Sequence, residues 1–336
     1  MSKITQVPDT LLYYYALLNR KKKVTASESR QFERSFKGYL GEKSLASLLS
    51  QFESSKILPL YNLLYEINGS EFQIDTALVT YNRVYLLEVK NFFGDYIIEN
   101  NKIYSLNKRT QIYNPVHQLE RTEYMFKKLL AKLDITTNVT SYVVFINPHF
   151  VLYGAQVQSP FLFASQVDIF LKKIARQSRP LSQKEYLLVE KLTQENIQVS
   201  MYDRLPEVQP SEIKNNIACV YCFNNIKKDN SFYFFCPSCK KYFDNEEVIL
   251  QTIYLRYTLF PQEEITVGNI SEWCNGELSK HTIRRVLAKY FHVHRKGRYT
   301  LYSFKNENQH KNFLSSYIIE KAEEERKRLN LPLVSP

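Results

Sequence analysis

Two carboxylates and a lysine sit inside apolar runs, where charge is costly. Gln73-Ile74-Asp75-Thr76-Ala77-Leu78-Val79 is followed by Val84-Tyr85-Leu86-Leu87-Glu88-Val89-Lys90. Between them Tyr81-Asn82 reads as a tight turn, which predicts two antiparallel strands. With a two-residue loop Thr80 faces Arg83, and counting outward sets Asp75 opposite Glu88. Side chains alternate with period two, so Glu88 and Lys90 share that face. Like charges directly opposite destabilise a sheet, and buried charges are expensive unless paired. Two arrangements answer this. One is an internal salt-bridge cluster. The other is a divalent cation on hard oxygen ligands, as in Mg²⁺ sites that hold substrate phosphates.

A second set of residues points to different metal chemistry. Cys219-Val220-Tyr221-Cys222 and Cys236-Pro237-Ser238-Cys239 are two C-x-x-C units separated by thirteen residues. Each unit can form a knuckle that donates two thiolates, and the four complete a tetrahedral shell. A closed shell leaves no position for water, so the expected metal is structural zinc. Residues 232–235 lead into the second knuckle as a strand, which suits a zinc ribbon. Redox pairs or disulfides are the alternative, but no secretion signal accompanies them. Such a ribbon either binds nucleic acid or braces a neighbouring domain. Cys274, beside Trp273, reads as a core residue.

The elements that must position these groups follow from periodicity. Residues 10–20 read as a short helix and 31–52 as a longer one, with Phe36, Leu40, Leu45, Leu48 and Leu49 near one face. Residues 58–67 form a first strand, and both faces of the following hairpin are apolar, so it should lie centrally in a sheet. Residues 94–104 read as a further hairpin around Asn100-Asn101. Asn114-Pro115 opens a helix, with Asn as the cap and Pro in the first turn. Strands at 141–146 and 161–163 and helices at 165–175 and 182–192 complete an α/β pattern.

The C-terminal part is basic. Ser279 caps a predicted helix with Ile283, Val286, Leu287 and Tyr290 on one face. Its other face carries Lys280, His281, Arg284, Arg285 and Lys289. A hairpin over residues 293–302 turns at Lys296-Gly297, with Arg295, Lys296 and Arg298 near its tip. With a helix at 265–273 this resembles a winged helix-turn-helix, suited to phosphate contacts and groove entry. The alternative is a small helical domain with a solvated basic face. The last charged helix, 308–330, reads as a solvated end or an interaction arm.

Composition agrees with a soluble protein that meets a polyanion. The formal net charge is +11 over 336 residues, which favours nucleic acid or an anionic membrane surface. No apolar run reaches the ~18 residues of a membrane-spanning helix. The apolar stretch 11–18 precedes its basic run, the reverse of a signal peptide, so a cytoplasmic protein is expected. Five segments are expected: a helical lead-in (1–30), an α/β domain (31–205), a zinc ribbon (206–250), a winged-helix-like DNA-binding domain (251–305) and a charged helix (306–336).

Asp75 and Glu88-Val89-Lys90 resemble the core of the PD-(D/E)XK nucleases, where an Asp on one strand and acid-x-Lys on the next surround a metal. The wider set resembles the nuclease-related domain (NERD): Gly41-Glu42, Gln73-Ile74-Asp75, Glu88-Val89-Lys90-Asn91 with Gly94, and Asn114-Pro115 with Gln118, in the family's order over roughly residues 35–205. Gln73 stands where the family more often has an acid. The resemblance implies a central mixed sheet flanked by helices and a metal-dependent deoxyribonuclease. Asp75 and Glu88 would ligate Mg²⁺ or Mn²⁺, with the Val89 carbonyl as a further ligand. Lys90 would orient the attacking water or neutralise charge, Glu42 would bind a metal-ligated water or second metal, and Gln118 would hold Lys90 or the phosphate. The implied role is DNA processing or defence against foreign DNA. The rival is a DNA-binding regulator or scaffold on a decayed nuclease fold. No Walker motif is present, so an ATP-driven step would need a partner such as a helicase.

Overall fold

The computed structural model describes residues 6–197, 200, 205–297, 299–306 and 308–329. The chain forms two compact units. One takes residues 37–203 with both ends of the chain; the other takes 7–36 and 204–324. The chain opens with α1 (Asp9–Arg20) and α2 (Ala26–Leu49).

The first unit is built on β1 (Ile57–Ile67), β2 (Ser70–Thr80) and β3 (Arg83–Lys90). Then come β4 (Gly94–Glu99), β5 (Lys102–Ser105), β6 (Gln111–Ile112) and α3 (Pro115–Lys132). β7 (Asn138–Phe145), β8 (Phe150–Tyr153), β9 (Phe161–Phe163), α4 (Ala164–Gln177) and α5 (Gln183–Glu195) complete it. The central sheet has the order β1-β2-β3-β7-β9. β1, β2 and β3 are antiparallel, and β3, β7 and β9 are parallel. Thr80 pairs with Arg83 across the turn at Tyr81-Asn82, and β3 is the middle strand.

Leu86 on one face packs with Phe126 and Leu129 of α3 and Leu188 and Leu192 of α5. Leu87 and Val89 on the other face pack with Leu45 and Leu49 of α2 and Leu171 of α4. Helices therefore cover both faces of a mixed sheet, which hides a strand that is apolar on both sides. The expected hairpin at 94–104 belongs to a second sheet, β6-β5-β4-β8, where β8 pairs parallel with β4.

The second unit holds a three-stranded antiparallel sheet of β10 (Lys227–Lys228), β11 (Tyr233–Phe235) and β12 (Tyr242–Asp244). It continues with α6 (Asn245–Leu259), α7 (Val267–Trp273), α8 (Lys280–Tyr290), the β13 (Phe291–Lys296) and β14 (Tyr299–Phe304) hairpin, and α9 (Gln309–Arg328). α6 is buried on nearly every side, as a helix apolar all round must be, and α1 packs on it. α9 corrects an expectation. It is no solvated end, because Leu314, Ile318 and Ala322, spaced by four, are buried. No helix among the described residues is long and apolar enough to cross a membrane.

Candidate active site

One rung of the β1–β2 ladder breaks the alternation of faces. Leu60 and Leu63 on β1, and Ile74 and Ala77 on β2, all join the core beneath α3. Residues three apart cannot share a face of a regular strand. The switch falls at Asn62 and Asp75, the rung missing between Tyr61↔Thr76 and Leu63↔Ile74. Asn62 has φ of 49°, a left-handed conformation that Asn tolerates better than most residues. The β2–β3 ladder also stops there, with Thr76↔Leu87 as its last pair. Asp75 was expected to face Glu88 across a continuing ladder. Instead its side chain replaces the next bond, and Oδ2 accepts from the Val89 N–H at 2.8 Å.

Glu88 lies on β3 with only 3% of its surface exposed. Lys90 Nζ donates to Glu88 Oε1 at 2.6 Å and to Gln118 Oε1 at 3.1 Å. Gln118 comes from the first turn of α3. That turn is fixed by Asn114, which caps Val116 N–H and reaches back to the Asn101 carbonyl. Glu42 arrives on α2, and Gly41 explains how. A Cβ at position 41 would lie 2.9 Å from Asn91 Cβ, so only glycine lets α2 approach the end of β3. Asn91 secures that end by donating to the Lys37 carbonyl and accepting from Asn147. Asn62 favours the charged form of the neighbouring Glu42 carboxylate, a role that sequence reading missed.

Burial raises the pKa of all three acids, and neighbouring carboxylates add to it at Glu42 and Glu88. Burial first, then the Asp75 and Glu88 charges, push Glu42 up to about 8, against the pull of Lys90 and Asn62. Burial and the Asp75 charge push Glu88 up to about 7, although Lys90 opposes both. Burial also raises Asp75, while the Val89 N–H and Lys90 hold it down. Clustered buried carboxylates with raised pKa values mark a functional-site candidate.

Residues 37–146 match the family model of the nuclease-related domain. This segment is a nuclease-related domain. It carries Glu42, Asp75, Glu88, Lys90 and Gln118, and the family implies a nuclease-related function. No curated protein and no solved structure matches the chain.

Gln118, the partner of Lys90 in the nuclease-related domain, also lines a groove of about 440 Å³. Its lining includes Gln73, Gln118, Arg121 and the exposed Tyr113. Tyr113 and Arg121 were not singled out from sequence, because neither lies in a motif.

The four cysteines of the second unit do converge. Their sulfurs all lie within 4.8 Å of one another. The Cys219–Cys239 and Cys222–Cys236 separations are 3.5 and 3.4 Å, far too long for disulfides at about 2.05 Å. They approach the ~3.8 Å edge of a tetrahedron with Zn–S bonds of about 2.3 Å. Each knuckle closes alike: Phe223 N–H bonds the Cys219 carbonyl and Lys240 N–H the Cys236 carbonyl. Both closing residues have positive φ, 63° and 61°. The donor set fits a structural zinc ion. Among the described residues, no set of three or more acidic, cysteine or histidine ligands besides this one closes so tightly.

The basic C-terminal elements form as expected locally. Asn275-Gly276, both at positive φ, end α7, and Ser279 caps α8 through Thr282 N–H. Lys280, His281, Arg284, Arg285, Arg295 and Lys296 are exposed. Lys289 is also exposed but is committed to Glu246 at 2.9 Å. α8 itself lacks acids, and α6 supplies one. Arg298 lies outside the described residues.

Proposed function

We propose that the first unit is a metal-dependent nuclease acting on DNA, of PD-(D/E)XK type. The observation that carries this reading is the gathering of Glu42, Asp75, Glu88 and Lys90 at the rung where β1 and β2 change face. Three neighbouring carboxyl groups supply hard oxygen donors, which suit Mg²⁺ or Mn²⁺. Asp75, Glu88 and the Val89 carbonyl would hold the ion, with Glu42 behind a ligated water or second ion. A bound ion would polarise the scissile phosphate and make an attacking water more acidic. Asp75 keeps one oxygen on Val89 N–H, which orients the other. Lys90 has three donors. Glu88 and Gln118 take two, and the third serves a phosphate oxygen or the attacking water. The groove along Tyr113 and Arg121 gives the strand a path to this centre.

In the second unit the four thiolates hold Zn²⁺ and close the ribbon. α7, α8 and the β13–β14 hairpin act as a winged helix, with Lys280, His281, Arg284, Arg285, Arg295 and Lys296 on DNA phosphates. Cleavage of linear, circular and single-stranded DNA with Mg²⁺, Mn²⁺ or EDTA tests the assignment. Metal-dependent cutting is expected. Salt-sensitive DNA binding without cutting under any condition would favour the rival, a non-catalytic DNA-binding protein. One observation speaks for that rival: Lys90 already neutralises Glu88 through Oε1 with no ion required.

A further inference from the structure

The opposite end of β3 carries a second concave site, about 23 Å from Lys90 at the usual rise of a strand. It is a cavity of about 450 Å³ between the Tyr81-Asn82 turn and α4. That volume lies within the range of small-molecule sites, ~300–1,000 Å³. Its floor is aromatic. Phe170 of α4 meets Tyr85 of β3 edge-on at 5.7 Å and Tyr142 of β7 edge-on at 5.1 Å. Its rim is cationic. Arg83, Lys173 and Arg179 line it and are exposed.

No acid lines this cavity. Two acids on α4 and α5 have other partners: Asp168 pairs with Lys172, and Glu185 is held by Ser182 and Asn82 N–H. The guanidinium groups rest on rings instead. Arg179 lies 5.9 Å from the Tyr81 centroid and Arg83 lies 5.8 Å from that of Tyr85. Arg83 also donates to Thr140 Oγ1 at 2.9 Å. Arginine forks match phosphate oxygens. Aromatic faces and guanidinium planes stack on bases. Few ligands other than a nucleotide offer an anion and a flat ring within one such cavity.

We infer that this cavity binds a nucleoside phosphate, free or within a single strand, at a site separate from the carboxylate centre. Fold integrity is not at stake, because Arg83, Lys173 and Arg179 are exposed and make no ion pairs among the described residues.

Calorimetric titration of the full-length protein with AMP, inorganic phosphate and a short oligothymidine tests this. Native protein should bind AMP or the oligonucleotide, and at least about tenfold more tightly than phosphate. Tighter binding of AMP identifies a free-nucleotide site; tighter binding of the oligonucleotide identifies a strand site. The Arg83→Ala/Lys173→Ala/Arg179→Ala variant should weaken the preferred ligand at least about tenfold with an unchanged unfolding midpoint. Glu88→Gln should leave that binding intact. Tyr81→Ala, which keeps every cation, should reduce nucleotide affinity but not phosphate affinity. Equal affinity for phosphate and nucleotide, no binding of either nucleotide probe, or binding unaffected by the triple substitution would overturn the assignment.

Discussion

The two candidate cation centres of this chain are built on opposite plans. The cysteine cluster brings four like ligands together on two short knuckles that repeat one backbone geometry. Its sulfurs already stand at nearly tetrahedral spacing. The carboxylate centre draws single residues from α2, β2, β3 and α3, and balances them with Lys90. A structural metal needs closure, and local sequence provides it. A catalytic ion needs open positions and a nearby substrate, so its ligands come from distant elements. Charge repulsion accordingly concentrates at the second centre, among Glu42, Asp75 and Glu88.

The largest expected effect would break the cysteine side of this comparison. Cys236→Ser should take bound zinc from about one ion per chain to near zero. It should also destabilise the second unit by on the order of 5 kcal/mol, because metal binding contributes directly to folding. Metal analysis and thermal unfolding check both; zinc absent from the native protein would remove the ribbon altogether.

The next effect sharpens the carboxylate side. Glu42 and Glu88 have folded pKa values of about 8 and about 7, above the ordinary 4.5. The folded state therefore holds extra protons between those limits. Metal-free protein should lose stability as pH rises from about 4.5 to about 8. Glu42→Gln should recover roughly 2–3 kcal/mol above pH 8, after a discount for partial exposure, and nothing below pH 4.5. Chemical denaturation in EDTA across that range measures it. A flat profile would mean that neither burial nor neighbouring charge raises these acids.

Gly41→Ala should cost roughly 1–3 kcal/mol, since the new methyl group meets Asn91 Cβ and α2 must shift. If the nuclease reading holds, cleavage falls with it because Glu42 moves; full activity would detach Glu42 from the site. The smallest effects belong to the basic helix. Arg284→Glu with Arg285→Glu should weaken DNA binding about tenfold and lower the salt slope by about 2. Lys289→Ala should change affinity by under about twofold, since Glu246 already engages that lysine.

How legible these centres were follows from the same contrast. The cysteines could be read directly, because knuckle geometry is local to C-x-x-C. The β2–β3 hairpin was equally legible from its turn and apolar runs. Glu42 and Gln118 entered only through a family resemblance, since no local pattern ties a helix residue to a strand that far away in sequence. Asn62 left no signal, because a left-handed pivot inside an apolar strand looks like one stray polar residue. β8 was missed because its partner β4 is distant in sequence. α6 was missed because a helix buried all round has no amphipathic period.

The most direct test of the central claim is Mn²⁺ binding followed by electron paramagnetic resonance, in native protein and in Glu88→Ala with zinc retained. The account predicts exchangeable Mn²⁺ bound at pH 8, weakening as pH falls through 8 and 7 and Glu42 and Glu88 take up protons, and lost in the variant. Binding that is absent from the native protein, or unchanged in Glu88→Ala, would contradict it.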